Sequence, residues 1–426
     1  MPTIPPRALL LGSFKAALAA ADPLQIVPLH LPRPPKGRTL VVGAGKAAAS
    51  MASAVEKHWP KNKSLSGLVI TRYGHGLPAR RIKVVEAGHP IPDASGETAA
   101  KKIFEEVKNL RPDDLLLALI SGGGSSLLSL PVAAVSMPDL KAVTRELLLC
   151  GATIQEINTV RKHLSTIQGG RLAAASKAPV LALIISDVTG DDPTHIASGP
   201  CAPDPTTYED ALSIISRYQV KAPEPVMDVL CGGKSGRLEE TPKPGNSIFR
   251  KVENRVIATA HNSLIAAAKY FRKRGVKAAV LGDTITGEAR EVAKVFSGLA
   301  RQILKYGEPW KPPVALISGG ETTVTVRGSG RGGRNTEFML SLALDLNGIK
   351  NIYALSCGTD GSDGTGDNAG ALITPDTLQR AGKINLKADL FLANNDSYSF
   401  FHPLHDLVMT GATRTNVNDF RVILVR

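Results

Sequence analysis

Short apolar runs alternate along this chain with stretches of helical spacing, and several of the runs end in glycine and hydroxyl residues. The plainest case is 115–130, LLLALISGGGSSLLSL, where an apolar run gives way to Ser121, Gly122, Gly123, Gly124, Ser125 and Ser126 before apolar residues resume. The run is long enough for a buried strand and the glycines remove side chains. Ser125 or Ser126 suits the cap of a following helix, whose first N–H groups would then face an anion. Residues 314–324, VALISGGETTV, repeat the apolar run, the Ser-Gly-Gly and a pair of hydroxyls. Two such strand–loop–helix turns predict two lobes facing one cleft.

The other elements follow from the same patterning. Leu10, Phe14, Ala17, Leu18 and Ala21 fall at helical spacing and predict an amphipathic first helix stopped by Asp22-Pro23. A strand at 39–42 runs into GAGK and an alanine-rich helix at 47–56, and a strand at 66–71 follows. The prolines and glycines of 84–96 predict an ordered loop, and a helix is expected at 97–110. Two helices come after the central loop, one from near Pro138 to Gly151 and one opened by the capping box Thr153-x-x-Glu156. A buried strand at 178–186 discharges into SDVTGDDPTHIASGP. Residues 232–246, polar and rich in breakers, predict the link between lobes. Beyond it, strands at 255–260, 276–281, 314–318, 322–327, 352–356 and 420–425 alternate with helices at 263–274, 288–304 and up to about 346, as parallel α/β units do. Ligands of such sheets sit beyond the carboxyl ends of strands, where the glycine loops fall.

A length of 426 residues favours two domains. The balance of 51 Lys and Arg against 38 acids gives +13, which suits nucleic acid, anionic lipid or a small anionic substrate. The basic residues are scattered, and only 4% of residues are aromatic, too few for a base-stacking surface, which favours the small anion. Cys150, Cys201, Cys231 and Cys357 lie far apart without a CxxC pair, against both a zinc site and a disulfide framework and in favour of a reducing compartment. No apolar run approaches a membrane span. The expectation is a cytoplasmic monomer or homodimer that binds neither nucleic acid nor membrane.

Gly43-Ala-Gly45-Lys46-Ala-Ala48 matches the GxGxxA dinucleotide fingerprint, and also a plain tight turn. Where an acid would meet a ribose the chain has Arg72, which suits NADP better than NAD. A Walker A loop is excluded, since Leu40 and Ala47 stand where it needs Gly and Ser or Thr. Lys46, at a helix start over bare N–H groups, could neutralise a transferring phosphoryl group or a carboxylate. Asp187, Asp191 and Asp192 follow a buried strand, a position for a magnesium ligand or a base that takes a hydroxyl proton. Asp360, Asp363 and Asp367 miss the EF-hand spacing. Arg331 and Arg334 could clamp a carboxylate or phosphate. His89, His163 and His195 read as structural hydrogen-bonders, and Ser121 lacks the GxSxG context of an acyl-enzyme nucleophile.

Taken in order, VVGAGKAAASMA, EAGHPIPDASG, SGGGSSLL, RKHLSTIQGGRLA, SDVTGDDPTHIASGP, LGDTITGEARE, ISGGETTVTV, GRGGRNTEF, GTDGSDGTGDNAGAL and TGATRTNVNDF resemble the glycerate 2-kinase family, from about residue 5 to 424. The resemblance implies an α/β protein of two domains. A Rossmann-like, three-layer amino-terminal domain at 1–240 would be followed by an α/β domain at 250–426 containing the MOFRL region at about 312–420, with the active site in the interdomain cleft. It further implies phosphorylation of D-glycerate on its 2-hydroxyl by ATP with Mg2+. The family's key lysine falls on Lys46 and its key arginine on Arg334, with Arg331 as the alternative. The candidate set is then Lys46, Arg334 and Asp187 for chemistry, with Asp187 and Asp191 for metal. Substrate and phosphates would meet Gly43, Gly45, Ser121 to Ser126, Gly319, Gly320, Glu321, Asn335 and Asp360. The chain departs from the family at Gln168, where a lysine is expected, at Cys201, and at Ala412 and Arg414; the charge changes at Gln168 and Arg414 bear on substrate preference. Members of this family were long labelled hydroxypyruvate reductases, so an NAD(P)H-dependent reductase is the rival reading. A non-enzymatic small-anion binder is the third, though it leaves the aspartate clusters without a purpose.

Overall fold

The unbroken apolar runs become central strands of two six-stranded sheets in this computed structural model, which describes residues 4–364 and 366–426. The chain divides into two compact units, Pro23–Ile257, and Ala258–Arg426 together with the amino-terminal segment up to Asp22.

In the unit Pro23–Ile257 the strands are β1 (Thr39–Ala44), β2 (Leu65–Arg72), β3 (Ile82–Ala87), β4 (Leu115–Ile120), β5 (Val180–Ile185) and β6 (Val252–Ala258), in the order β3-β2-β1-β4-β5-β6. Every residue of β1, β4 and β5 is buried, which is why these strands read as continuous runs without alternation. Strand β1 pairs in parallel with both β2 and β4, so the strand order reverses between β1 and β4. A doubly wound sheet opens its ligand crevice at that point, outside the carboxyl ends. Ala99, Ala100, Ile103 and Val107 of the helix Ala94–Lys108 close one face over Leu40, Val42, Leu116 and Ala118. A separate cluster of four helices buries Leu140, Val143, Ile157, Val160, Ile214 and Val229. One of them starts at the expected capping box, in which the Thr153 amide donates to Glu156 Oε2 at 2.9 Å and the Glu156 amide to Thr153 Oγ1 at 3.3 Å.

Two expectations fail in this unit. The stretch read as a loop from 84 begins inside strand β3, an edge strand paired only through β2, whose exposed Lys83 breaks the apolar pattern. Residues 232–246 do not link the units, because they complete a buried ionic network. Lys162 Nζ donates to Asp204 Oδ1 at 2.7 Å, Thr241 Oγ1 donates to Asp204 Oδ2 at 3.0 Å, and His163 Nε2 lies 3.0 Å from Glu240 Oε1. Burial alone would raise the Glu240 carboxyl, but His163 and the amides of Tyr208 and Thr241 outweigh it and hold the group at about 2, against an ordinary 4.5. A depressed carboxyl stabilises the fold above its unfolded value, and that contribution is lost as pH falls towards the folded one. Thermal melting is therefore expected to drop between pH 4.5 and about 2, with a shallower drop in Glu240→Gln.

The unit Ala258–Arg426 holds β7 (Lys277–Glu288), β8 (Val314–Thr323), β9 (Ile352–Gly358), β10 (Gly370–Ile373), β11 (Leu407–Val408) and β12 (Asp419–Val425), in the order β11-β10-β9-β12-β8-β7. It is not the parallel sheet expected. Among the described residues only β7 and β8 pair in parallel, while β12 enters antiparallel between β8 and β9. Parallel neighbours need a crossover to carry the chain back to the starting edge. Among the described residues no helix lies between Gly358 and Gly370 or between Val408 and Asp419. The expected boundary between 240 and 250 is also displaced, to Ile257, and the first helix joins this second unit. Leu10, Phe14 and Ala17 of the helix Pro6–Ala19 pack on Leu264, Ala267 and Phe271, and the Phe14 and Phe420 rings stack at 5.7 Å. Among the described residues no single helix is long and apolar enough to cross a membrane.

Candidate active site

The Gly43–Ala48 motif lies at the reversal of the first sheet. Gly43 faces β4 so closely that a Cβ would come 2.2 Å from Leu119 O. Gly45 has φ 135°, and a Cβ there would come 2.1 Å from Ser121 Oγ. The turn is zipped to the one after β4: the Lys46 amide donates to Gly122 O at 2.9 Å and the Ala47 amide to Ser121 Oγ at 3.1 Å. The Gly45 amide donates to Ile70 O and the Ala48 amide to Gly45 O, each at 3.1 Å. The amides of residues 45 to 48 are thus engaged within the protein, and to them the turn adds the Lys46 side chain. Sequence reading missed His75 beside that lysine and took His89 only as a structural hydrogen-bonder. A Cβ on Gly123 would lie 2.8 Å from His89 Nε2 and 3.5 Å from Lys46 Cγ, and His75 Nδ1 is 3.4 Å from Lys46 O. The only signal was the presence of both histidines in glycine- and proline-rich loops. Gly45→Ala is expected to cost about 3 kcal/mol, from the forbidden φ and the overlap with Ser121, in denaturant unfolding.

Neither Ser125 nor Ser126 caps a helix. Gly123, at φ 81°, starts a single turn Gly124–Leu127, Ser126 Oγ donates back to Gly123 O at 3.1 Å, and Leu128 leaves helical geometry. Gln168 does not replace a charge that meets solvent. It is buried, and its Nε2 donates to Ser125 O at 2.8 Å and Leu128 O at 3.1 Å. Cys201 is inert in the core, its thiol pushed up to about 12 by burial. Arg414 sits in the left-handed region at φ 58°, which a glycine would adopt without strain.

Asp187 follows the end of β5, on the same edge as the Lys46 and Ser121 turns because β1, β4 and β5 run parallel. Asp191 stands at φ 55°, and Asp192 Oδ1 is occupied by the Thr194 amide at 2.9 Å. Among the described residues no three His, Cys, Asp or Glu side chains are grouped to hold a metal ion. Magnesium asks for less, one or two carboxylates together with substrate phosphates, and the Asp187–Asp191 loop has that donor set.

In the second unit Arg334 opens the helix Arg334–Leu346 and is a third exposed. Its Nε donates to Asp419 Oδ2 at 2.8 Å and its Nη1 to Glu321 Oε1 at 2.6 Å, leaving the Nη2 edge outside these pairs. Burial disfavours the charge, but Asp419 and Glu321 outweigh it and hold the guanidinium protonated above its ordinary range. Asp419, buried at the start of β12, also accepts from Asn335 Nδ2 at 2.9 Å and Arg421 Nη2 at 2.8 Å. Asn335 spans Asp419, Asp363 and Ser356, whose Oγ donates to Asn335 Oδ1 at 2.6 Å. Burial raises the Asp363 carboxyl although the Asn335 and Thr336 amides and the Thr336 hydroxyl bond to it. Arg331 lies apart from this group, stacked 3.8 Å over Tyr398 and 3.3 Å from Asp367 Oδ1. Asp360 Oδ1 accepts from the Ser362 amide at 3.0 Å, within the loop that also contains Thr365, which lies outside the described residues.

The echo at 319–320 is not a loop. Gly319 and Gly320 lie inside β8, which continues to Thr323 and absorbs the start of the strand expected at 322–327. On the β7 side Gly320 pairs with Ile285, and a Cβ on Gly320 would come 2.2 Å from Ile285 O beside the β7 irregularity, while the pairing with β12 reaches as far as Ser318. Gly320 thus serves close strand approach.

Residues 9–231 match the family described as a domain of unknown function, DUF4147, and residues 314–419 match the MOFRL family. A protein of Agrobacterium vitis named as a hydroxypyruvate reductase is 50% identical over 98% of this chain and 94% of its own length. D-glycerate 2-kinase of Thermotoga maritima is 39% identical over 96% of each chain. The crystal structure of glycerate kinase from Thermotoga maritima superposes with a TM-score of 0.87, at 37% identity and 99% coverage of both chains.

Proposed function

The chain belongs to the glycerate 2-kinase family with a carboxyl-terminal MOFRL region, and from that premise we propose that it transfers a phosphoryl group from ATP to the 2-hydroxyl of D-glycerate, giving 2-phosphoglycerate and ADP. The observation that carries the reading is the Lys46 turn. A dinucleotide of the GxGxxA type lays its pyrophosphate on the first amides of the helix. Here the amides of residues 45–48 are engaged within the protein, while the lysine supplies a positive charge at the sheet's switch point. That suits phosphoryl transfer, where catalysis consists of positioning and of stabilising charge on the phosphoryl oxygens.

In this proposal Lys46 neutralises the transferring phosphoryl group and Asp187 accepts the 2-hydroxyl proton. The hydroxyl oxygen attacks the γ-phosphorus, and ADP departs with the electron pair of the broken bridging bond. Arg334, held by Asp419 and Glu321, offers its Nη2 edge to an anionic oxygen. Magnesium, when bound, would neutralise nucleotide phosphates, with Asp191 and its loop neighbour Asp187 as the carboxylates to hold it. The setting is a reducing, ATP-containing compartment such as the cytoplasm, in keeping with four free cysteines.

The name of the Agrobacterium vitis relative favours a second reading, reduction of hydroxypyruvate by NAD(P)H. Parallel incubations separate the two. ADP formation from D-glycerate, ATP and magnesium supports the kinase; NADPH oxidation by hydroxypyruvate alone supports the reductase; neither would leave small-anion binding.

A further inference from the structure

The turn after β4 and the end of the loop after β5 are built as one piece, and the part that joins them is Gln168–Gly170. Gln168 is 2% exposed and gives both protons of its side-chain amide to main-chain oxygens of the first turn, Ser125 O and Leu128 O. The next two residues hold the second turn: the Gly169 amide donates to Ser198 O at 3.0 Å and the Gly170 amide to Gly199 O at 2.7 Å. That second turn is strained. Ala197, Ser198 and Gly199 have φ of 51°, 59° and 59°, and left-handed geometry at the two non-glycine positions persists only where surrounding contacts impose it. The two turns also touch directly. Gly124 has no room for a Cβ, which would come 2.5 Å from Ala197 Cβ, and the single proton of Ser198 Oγ has two acceptors in reach, Ser125 Oγ at 2.9 Å and Asn158 Oδ1 at 3.2 Å.

Ser198 and Asn158 are buried, whereas Ser125 is only partly so. Ser125 is therefore the end of this relay that a ligand can reach. With an anionic oxygen beside it, Ser125 gives its proton to the ligand, and the Ser198 proton turns from Asn158 Oδ1 to Ser125 Oγ. Among the described residues, the same loop leaves Thr194 Oγ1 and His195 Nδ1 buried without a hydrogen-bond partner, as expected of a site completed by a bound molecule. The loop begins at Asp187, the group proposed to take the substrate's hydroxyl proton, which favours the small acid over the nucleotide as the molecule that Ser125 meets.

We propose that Ser125 Oγ donates a hydrogen bond to the carboxylate of the 2-hydroxy acid substrate, and that Gln168 and Ser198 are positioning residues that fix this hydroxyl. The proposal rests on the kinase reading for the identity of the acid alone. Its test is calorimetric titration of the full chain and of Ser125→Ala, Ser198→Ala and Gln168→Glu with D-glycerate and, separately, with ADP. Loss of a hydrogen bond to a charged group predicts D-glycerate binding weaker by about tenfold in Ser125→Ala, with ADP binding unchanged. Ser198→Ala and Gln168→Glu should weaken D-glycerate selectively as well, a selectivity that a merely structural role would not produce. Ser125→Ala and Ser198→Ala carry the test if Gln168→Glu does not fold. Wild-type affinity for D-glycerate in Ser125→Ala, equal weakening of both ligands, or no D-glycerate binding by the wild type would overturn the proposal. Ser125-dependent binding without ADP formation in the turnover assay would instead sink the kinase reading and leave this one standing.

Discussion

Lys46→Ala is expected to lower kcat/KM for D-glycerate phosphorylation on the order of a hundredfold, equivalent to about 3 kcal/mol of transition-state stabilisation. The substitution leaves the turn in place, because the Lys46 contact to Gly122 is made by the backbone amide and the Ala47 and Ala48 amides keep their own acceptors. What disappears is the charged side chain, whose Cγ lies beside Gly123. The loss should therefore be far larger in turnover than in thermal unfolding, because these backbone contacts remain, and Lys46→Arg should recover part of it by restoring the charge. Steady-state kinetics beside a melting curve make the check. A near-normal rate in Lys46→Ala would remove this lysine from the chemistry.

Asp419→Ala is expected to lower the stability of the carboxyl-terminal unit by about 4 kcal/mol. Two guanidinium groups converge on this buried carboxylate, and Arg421 is itself 1% exposed. Removing the acid strands a positive charge in the core, since Arg421 keeps only Gly319 O and Thr322 Oγ1 as acceptors. It also frees Arg334 Nε, so the helix start that presents Arg334 loses its anchor. The two tryptophans, Trp59 and Trp310, report on separate units, so a Trp59→Phe background isolates Trp310 as the probe. Urea unfolding followed at Trp310 should show a much earlier midpoint in Asp419→Ala, with Asp419→Asn between it and the parent. An unchanged midpoint would mean that the charge cluster contributes little.

The two sites were legible in the sequence to different degrees, for physical reasons. Strands β1, β4 and β5 could be read because both faces are buried, and Lys46 and Asp187 follow from their carboxyl ends. The fate of the loop amides could not be read, since it depends on β1 and β4 lying side by side, which lets Ser121 and Gly122 accept from residues 47 and 46. The two Ser-Gly-Gly segments look alike and fold differently. The first lies past the end of its strand, while the second lies inside β8, where Gly320 pairs with Ile285 of β7. The antiparallel insertion of β12 has no local signature, yet it alone brings Asp419 beside residues 334 and 335. The stretch 232–246 looked like a linker because its polar residues meet Asp204 and His163, which are far away in sequence.

The central claim is phosphoryl transfer to the 2-hydroxyl, and the position of phosphate on the product tests it most directly. The full chain, incubated with D-glycerate, ATP and magnesium, is followed by phosphorus NMR with proton coupling. The account predicts 2-phosphoglycerate, its phosphorus coupled to the single C2 proton, formed in step with ADP. 3-Phosphoglycerate, with coupling to the C3 methylene, or the absence of any ADP-linked product, would contradict it.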